Sequence, residues 1–477
     1  MTRLGNLIGW IPFPLVLAAC GGGGSSTPPP PASYTIGGTV SGQSGSGLVL
    51  LNNGGDMLTV SGASFTFTQP MTSGKSFNVT VATQPTTPPQ ACTVADASGV
   101  VGSSDITSVS VACVTPNEQL LVPDDDHYLV SYFIDPTTGA LTPSTIPPVV
   151  SSLSYTADPT GTYVYVAEGS ANSVAAYTIS PATAALTQIP SSPFATAAGA
   201  GAGPLTIDPT GRFLYVSVSL GSTGGLYAYT RDAATGALTL VGGSPFPLPS
   251  EAPGQGVLGG FAAASPAFLY YALIAGPAVY QTGAFAINTT TGELTTVGPF
   301  TTPCCGSPPI NAVVDPTGQN IIFAYGSVQW FSINALTGAL TLVASATIPT
   351  TIAQSRSATA IALSPSGAYV YAATAAFGAN GGPYEVYGYS VDYAAGTLTP
   401  LAGNPFATGV TGPGGGQFIA FDLTGQFLYV GSGSDISGFA VDAASGALTP
   451  VPGSPYATSA LPIDAPDPYP FVVTKIP

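Results

Sequence analysis

Apolar and polar residues alternate in short runs along most of this chain. Ser64-Phe65-Thr66-Phe67 and Phe77-Asn78-Val79-Thr80-Val81 set every second side chain on one apolar face. That is the period of a strand with one buried side. Farther on, Tyr163-Val164-Tyr165-Val166 and Phe213-Leu214-Tyr215-Val216 are apolar at every position, which predicts strands covered on both faces. Gly, Pro, Asp and Ser punctuate the runs, as turn residues do between strands. The pattern predicts an all-β fold.

From residue 117 onward the text repeats. One phrase is an aromatic, any residue, Ile or Val, Asp or Asn, a short spacer, Thr-Gly, any residue, Leu-Thr. It recurs seven times, with substitutions, at Tyr132, Tyr177, Tyr229, Phe285, Phe331, Tyr389 and Phe439. Its Gly falls at 139, 236, 292, 338, 396 and 446, and Ala185 is read as its replacement in the second copy. A second phrase, Asp-Pro-Thr-Gly, precedes the doubly apolar runs at Asp158, Asp208 and Asp315, with variants at Ser364 and Asp422. Asp bonds to backbone at the first corner, Pro presets φ at the second, and Gly takes the exit. Each unit thus reads as strand a, turn, strand b, loop, strand c, turn, strand d. The spacing suits a propeller blade, and a closed ring of blades leaves only short edges. Gln119-Leu120-Leu121-Val122 aligns with strand b but has no strand a before it. The segment from Pro468 to Lys475 reads as the missing strand, supplied by the chain end. The prediction is a seven-bladed β-propeller over 117–477.

Residues 33–116 read differently. Their short alternating strands predict an immunoglobulin-like β-sandwich. Cys92 and Cys113 both sit on strand-like runs and are predicted to form a disulfide that staples this small domain. The first 19 residues read as a signal peptide, with Arg3 as the charged start and an apolar stretch from Leu4 to Leu17. Leu17-Ala18-Ala19-Cys20 resembles the lipobox of bacterial lipoproteins, which implies lipidation at Cys20 and a membrane partner. Gly21 after the Cys resembles lipoproteins sorted to the outer membrane. Residues 20–32 then form a Gly/Ser tether that stiffens at Pro28 to Pro31.

Composition narrows the partners. The chain has 477 residues, 22 acidic against 6 basic, and a net charge of -16. No basic stripe exists to neutralise phosphates, so nucleic acid is excluded as a partner and a phosphorylated ligand is disfavoured. Gly254-Gln255-Gly256-Val257-Leu258-Gly259 matches a dinucleotide fingerprint, but the next acidic residue, Glu293, is too distant and no helix follows. It is a Gly-rich loop.

The strand order sets the b–c and d–a loops on one face, and the long irregular loops there form the expected ligand face. Its chemistry-bearing residues are few. Asp124, Asp125, Asp126 and His127, the only His in the chain, lie in the b–c loop of the first blade. Glu168 lies in that of the second and Asp435 in that of the seventh. Glu251 and Arg356 lie in d–a loops. His127 suits a general base beside Asp126. The acidic run of Asp124, Asp125 and Asp126 equally suits calcium or a solvated turn. Cys304-Cys305 suits a vicinal disulfide, as a rigid loop device or a redox handle. No other cofactor is expected.

The repeated Tyr-x-Ile-Asp…Thr-Gly-x-Leu-Thr and Asp-Pro-Thr-Gly-x-x-Leu-Tyr-Val phrases resemble the lactonase-like seven-bladed propellers, which include 6-phosphogluconolactonases and carboxymuconate-cyclising relatives. The resemblance implies the fold strongly and the activity weakly, because the matching residues belong to turns and strands. Two readings stand. One is an envelope-displayed module that binds a ligand, a protein or a glycan through the loop face. The other is a lactone hydrolase or isomerase, with His127 as base, Asp126 orienting it and Arg356 holding a carboxylate.

Overall fold

The computed structural model describes residues 31–85, 90–115, 117–123, 128–144, 149–150, 154–168, 171–180, 183–196, 201–220, 223–247, 262–265, 267–276, 279–300, 311–325, 327–349, 355–377, 382–412, 417–432, 435–458 and 472–476. All regular elements among them are strands. Residues 1–30, Cys20 among them, lie outside these residues.

In the N-terminal domain the alternating runs sort into two four-stranded sheets. Strands Ile36–Ser41, Ser64–Thr66, Ala91–Ala95 and Ile106–Val114 form one. Strands Val49–Asn52, Asp56–Thr59, Ser76–Thr83 and Ser98–Val100 form the other. One shared core holds Ile36, Phe65, Val109 and Val111 of the first sheet with Leu50, Phe77 and Val79 of the second. Ile36–Ser41 runs parallel to Ile106–Val114, so the first and last long strands of the domain lie side by side. Cys92 and Cys113 are direct cross-strand partners and are disulfide-bonded. The covalent link fixes the register in which the last strand joins the sheet.

Seven four-stranded meanders follow. The second blade shows the plan: strand a at Ser154–Ala157, b at Tyr163–Glu168, c at Ser173–Ile179 and d at Leu186–Gln188. The innermost strands touch one another in sequence and the last touches the first, closing a ring. Strand b of each blade is buried on both sides: Tyr163, Val164, Tyr165 and Val166 are all core residues, as their unbroken apolar run requires.

Both turn phrases do what their chemistry dictates. Asp158 is buried, and its Oδ1 accepts from the backbone N–H of Thr162 at 2.8 Å and of Tyr163 at 2.7 Å. Its Oδ2 accepts from the Thr160 hydroxyl at 2.5 Å. Asp208, Asp315 and Asp422 repeat the arrangement, and Ser364 replaces it with one hydroxyl that accepts from Tyr369 N at 3.1 Å. These buried carboxylates are turn braces, each satisfied by several donors. In the Thr-Gly turns the Gly takes a left-handed conformation, with φ of 71° at Gly139 and at Gly236. In the second blade that place belongs to Ala184, at φ 57°, and not to Ala185. The left-handed residue stands two before the Leu of Leu-Thr, and Leu186 puts Ala184 there.

A third repeated feature escaped the sequence reading. After strand d, Ser192-Pro193, Ser244-Pro245, Asn404-Pro405 and Ser454-Pro455 turn the chain back, and a short ribbon then pairs again with strand c. The residue before each Pro bonds to strand c: Ser192 Oγ accepts from Ala176 N at 2.8 Å, and Asn404 Oδ1 from Gly388 N at 2.8 Å. Side chains there replace ladder partners that the departing strand no longer supplies.

The ring closes as expected. Val472–Lys475 pairs antiparallel with Glu118–Pro123, with Glu118 opposite Lys475 and Leu120 opposite Val473. Glu118 is buried at this seam, and its Oε2 accepts from Leu423 N, in the turn of the seventh blade, at 3.0 Å. Burial pushes its carboxyl above the ordinary range, and Asp422 adds to the rise. The Leu423 N–H and Lys475 oppose it. The folded protein thus holds this proton more tightly than the unfolded chain. Stability from this site is therefore greatest at acidic pH and falls as pH rises above the ordinary carboxylate value. A Glu118→Gln variant keeps an acceptor for Leu423 N and carries no charge. It is expected to melt above the wild type at neutral pH, with the gap vanishing on acidification. Thermal melts across mildly acidic to neutral pH check this, and a constant gap refutes it.

Candidate functional site

The loop-rich face is where strand b hands over to strand c and where strand d returns to the next strand a. A common register across blades can be read from strand b. The phenols of Tyr165, Tyr371 and Tyr429 donate to the carbonyls of Gly236, Gly446 and Gly139, each on the neighbouring blade, at 2.9, 2.7 and 2.8 Å. Their cross-strand partners are Ala176, Gly388 and Gly438. Three residues earlier on strand c, toward the loop face, stand Ser173, Glu385 and Asp435 in the second, sixth and seventh blades. Glu168 ends strand b directly opposite Ser173.

Three half-buried carboxylates thus occupy one level of this face: Glu168, Glu385 and Asp435. Ser173 Oγ donates to Glu168 Oε2 at 2.6 Å, and Tyr387 OH donates to Glu385 Oε2 at 3.1 Å. Glu385 was missed by the sequence reading. The signal was available: it lies four residues before Tyr389, the aromatic of the sixth phrase, inside the start of a strand rather than in a loop. Asp435 likewise opens strand c (Asp435–Val441), paired with Ser432 and Ala457.

Of the other expected site residues, Asp124, Asp125, Asp126, His127, Glu251, Cys304 and Cys305 lie outside the described residues. Arg356 sits near the start of strand a of the sixth blade (Ser355–Leu363), opposite Ala376. Its side chain is outside the description. No group of three or more metal-ligating side chains comes together among the described residues.

The described cations of the propeller are placed elsewhere. Arg212 donates to Thr289 O at 2.9 Å beside the turns. Arg231 fills a register held by Ile or Val in the other blades and is buried between the second and third. Its guanidinium lies 3.6 Å from Asp158 and 5.7 Å from the centre of the Tyr163 ring. Lys475 is on the seam. Arg212 and Arg231 therefore belong to the turn side, as their sequence positions imply. Buried tyrosines such as Tyr155 and Tyr215 are held protonated, because desolvation pushes their phenols far up. They serve packing.

Comparison with known proteins agrees with this geometry. Residues 141–251 and 324–463 match the family described as Lactonase, 7-bladed beta-propeller. Among solved structures, the Pseudomonas aeruginosa periplasmic gluconolactonase PpgL is similar at 18% identity. The match covers 76% of this chain and 99% of that one, with a TM-score of 0.57. A protein from Lactobacillus plantarum is similar at 19% identity over 75% of this chain and 99% of its own, with a TM-score of 0.55. A putative 6-phosphogluconolactonase from Bacteroides fragilis is similar at 18% identity over 75% and 98%, with a TM-score of 0.51. These likenesses establish the fold. No curated protein sequence matches the chain. The seven closed meanders, their repeated turns and a family match over more than half the length lead to one conclusion: this chain belongs to the lactonase family of seven-bladed β-propellers.

Proposed function

We propose that this protein is a cell-envelope lipoprotein whose propeller hydrolyses an unphosphorylated cyclic ester at its loop-rich face. The observation that carries the reading is the level of carboxylates at Glu168, Glu385 and Asp435 on that face, in a chain of 22 acidic and 6 basic residues. Such a face repels a phosphorylated sugar and tolerates a neutral lactone, whose hydroxyls suit carboxylate acceptors. Family membership supports the reaction class. His127, with Asp126 beside it in sequence, takes a proton from water as the water oxygen adds to the ring carbonyl. The ring C–O bond then breaks, the departing alkoxide takes that proton back, and the new carboxylic acid releases its own proton to solvent. Arg356 meets the carboxylate that forms. Cys20 carries the lipid that anchors the chain to the outer membrane.

The second reading is a binding module for an envelope protein or glycan. It is favoured by Glu168 and Glu385 themselves. Each already accepts a hydroxyl of its own blade, from Ser173 and Tyr387, and so is arranged as an acceptor of further hydroxyls rather than as a free base.

Titration of acid release over a panel of neutral and phosphorylated lactones separates the two. The hydrolase reading expects turnover of neutral lactones that falls about 100-fold or more in His127→Ala, with phosphorylated ones untouched. Absence of turnover on every lactone by folded protein leaves the binding module. Turnover confined to phosphorylated lactones overturns the charge argument.

A further inference from the structure

We propose that two copies of this chain pair through the outer edge of the fifth blade, joining their strands Leu340–Thr347 antiparallel across a two-fold axis. The other described outer strands run three to seven residues, and each holds or is followed within two residues by a Pro or Gly (Pro143, Pro190, Gly242, Pro299, Pro400 and Pro450), whereas the fifth runs eight residues before Pro349. Such residues blunt exposed edges. Leu340-Thr341-Leu342-Val343-Ala344-Ser345-Ala346-Thr347 contains no Pro, no Gly and no charge, and it ends its sheet. A long uncharged edge of this kind is a template for a further strand.

Three further observations fall on the same blade. The fifth Thr-Gly turn begins with Asn334 in place of Asp and carries Leu336, which is 92% exposed. Leu342 and Val343 on the strand are 44% and 37% exposed. These three are among the few large apolar side chains left in water. The sequence holds no acidic residue between Asp315 and Glu385, in a chain with 22 of them.

That gap selects the occupant. At a net charge of -16, two copies repel over most of their surface, and like charges brought together are costly. The fifth blade is the sector where identical surfaces meet without opposing carboxylates. Antiparallel pairing of one edge with itself is isologous, so it closes at two copies and satisfies both open edges at once. It joins two four-stranded blades into one continuous sheet.

Sedimentation velocity of the full-length chain over a dilution series tests this. The expected result is a species of twice the chain mass that dissociates on dilution. A Leu342→Lys/Ser345→Lys double variant, which places cations on the edge, should sediment as the monomer at every concentration and keep the wild-type circular dichroism spectrum. Leu423→Lys, which removes an exposed apolar residue of the seventh blade (38% exposed), should leave the dimer intact. Should the double variant fail to fold, Thr341→Lys at the exposed start of the strand replaces it. A wild type that is monomeric throughout overturns the proposal. So does a dimer that survives the edge lysines, dissociation by Leu423→Lys, or assembly beyond two copies.

Discussion

A chain ending at residue 471 is expected to lose the ring. Removing Val472–Lys475 takes away the inner strand of the first blade and the partners of Glu118, Gln119, Leu120 and Leu121. Val473 is buried in the core shared by the first, second and seventh blades. Losing its burial against that core costs roughly 1.5–3 kcal/mol. Each orphaned backbone group left away from water adds on the order of 1–3 kcal/mol. The turn of the second blade is stripped as well, since Gly161 lies directly over Thr474 and Lys475. The sum exceeds about 5 kcal/mol, a large part of what holds a typical domain together. Thermal unfolding followed by circular dichroism should show the truncated chain melting at least about 10 °C lower, or failing to accumulate as soluble protein. An unchanged melt would mean that the seam between Glu118–Pro123 and Val472–Lys475 carries none of the stability.

The fold was legible because its determinants are local and repeated. Asp158 and Gly161 specify a turn by their own bonds and φ, and they do so again at Asp208 and Asp315. The closure was legible from a register: Gln119-Leu120-Leu121-Val122 matched strand b and lacked a strand a. The site was not legible in the same way. Glu385 enters the loop face only because Thr374 and Ala407 flank it across the sheet, and cross-strand position does not appear in a linear text. Glu168, Glu251, Asp435 and the run beside His127 were legible as acids of the expected loops. The third carboxylate sat in a strand start. Ala184 shows the complementary limit. A turn phrase identifies a φ only when counted to the residue, and the neighbour that tolerates an alanine there is on another blade.

That neighbour explains the last expected result. In five of the six Gly turns, the Gly faces an aromatic ring that opens strand b of the adjacent blade. A Cβ on Gly139 would stand 2.2 Å from Phe427, on Gly236 2.4 Å from Tyr163, and on Gly446 2.6 Å from Tyr369. The same ring-bearing strands donate the phenols of Tyr429, Tyr165 and Tyr371 to those Gly carbonyls. Ring and phenol together clamp the next blade. Where the neighbour presents Gln119 or Asn320 instead of a ring, the demand relaxes. Ala184 occupies the first such place, and a Cβ on Gly396 in the second would meet only Val343, at 3.2 Å. Gly139→Ala should therefore cost both the left-handed backbone, about 1–2 kcal/mol, and the displacement of Phe427, about 1–3 kcal/mol. Gly396→Ala should cost the backbone part alone. Ala184→Gly should stabilise by about 0.5–1 kcal/mol, since its backbone already pays the left-handed penalty at φ 57°. Denaturant melts of the three variants rank them. Equal losses at Gly139 and Gly396 would show that the ring on the neighbouring blade carries no part of the constraint. The wider loss at Gly139 would locate the coupling between the first and seventh blades in Phe427, the same junction that the C-terminal strand closes.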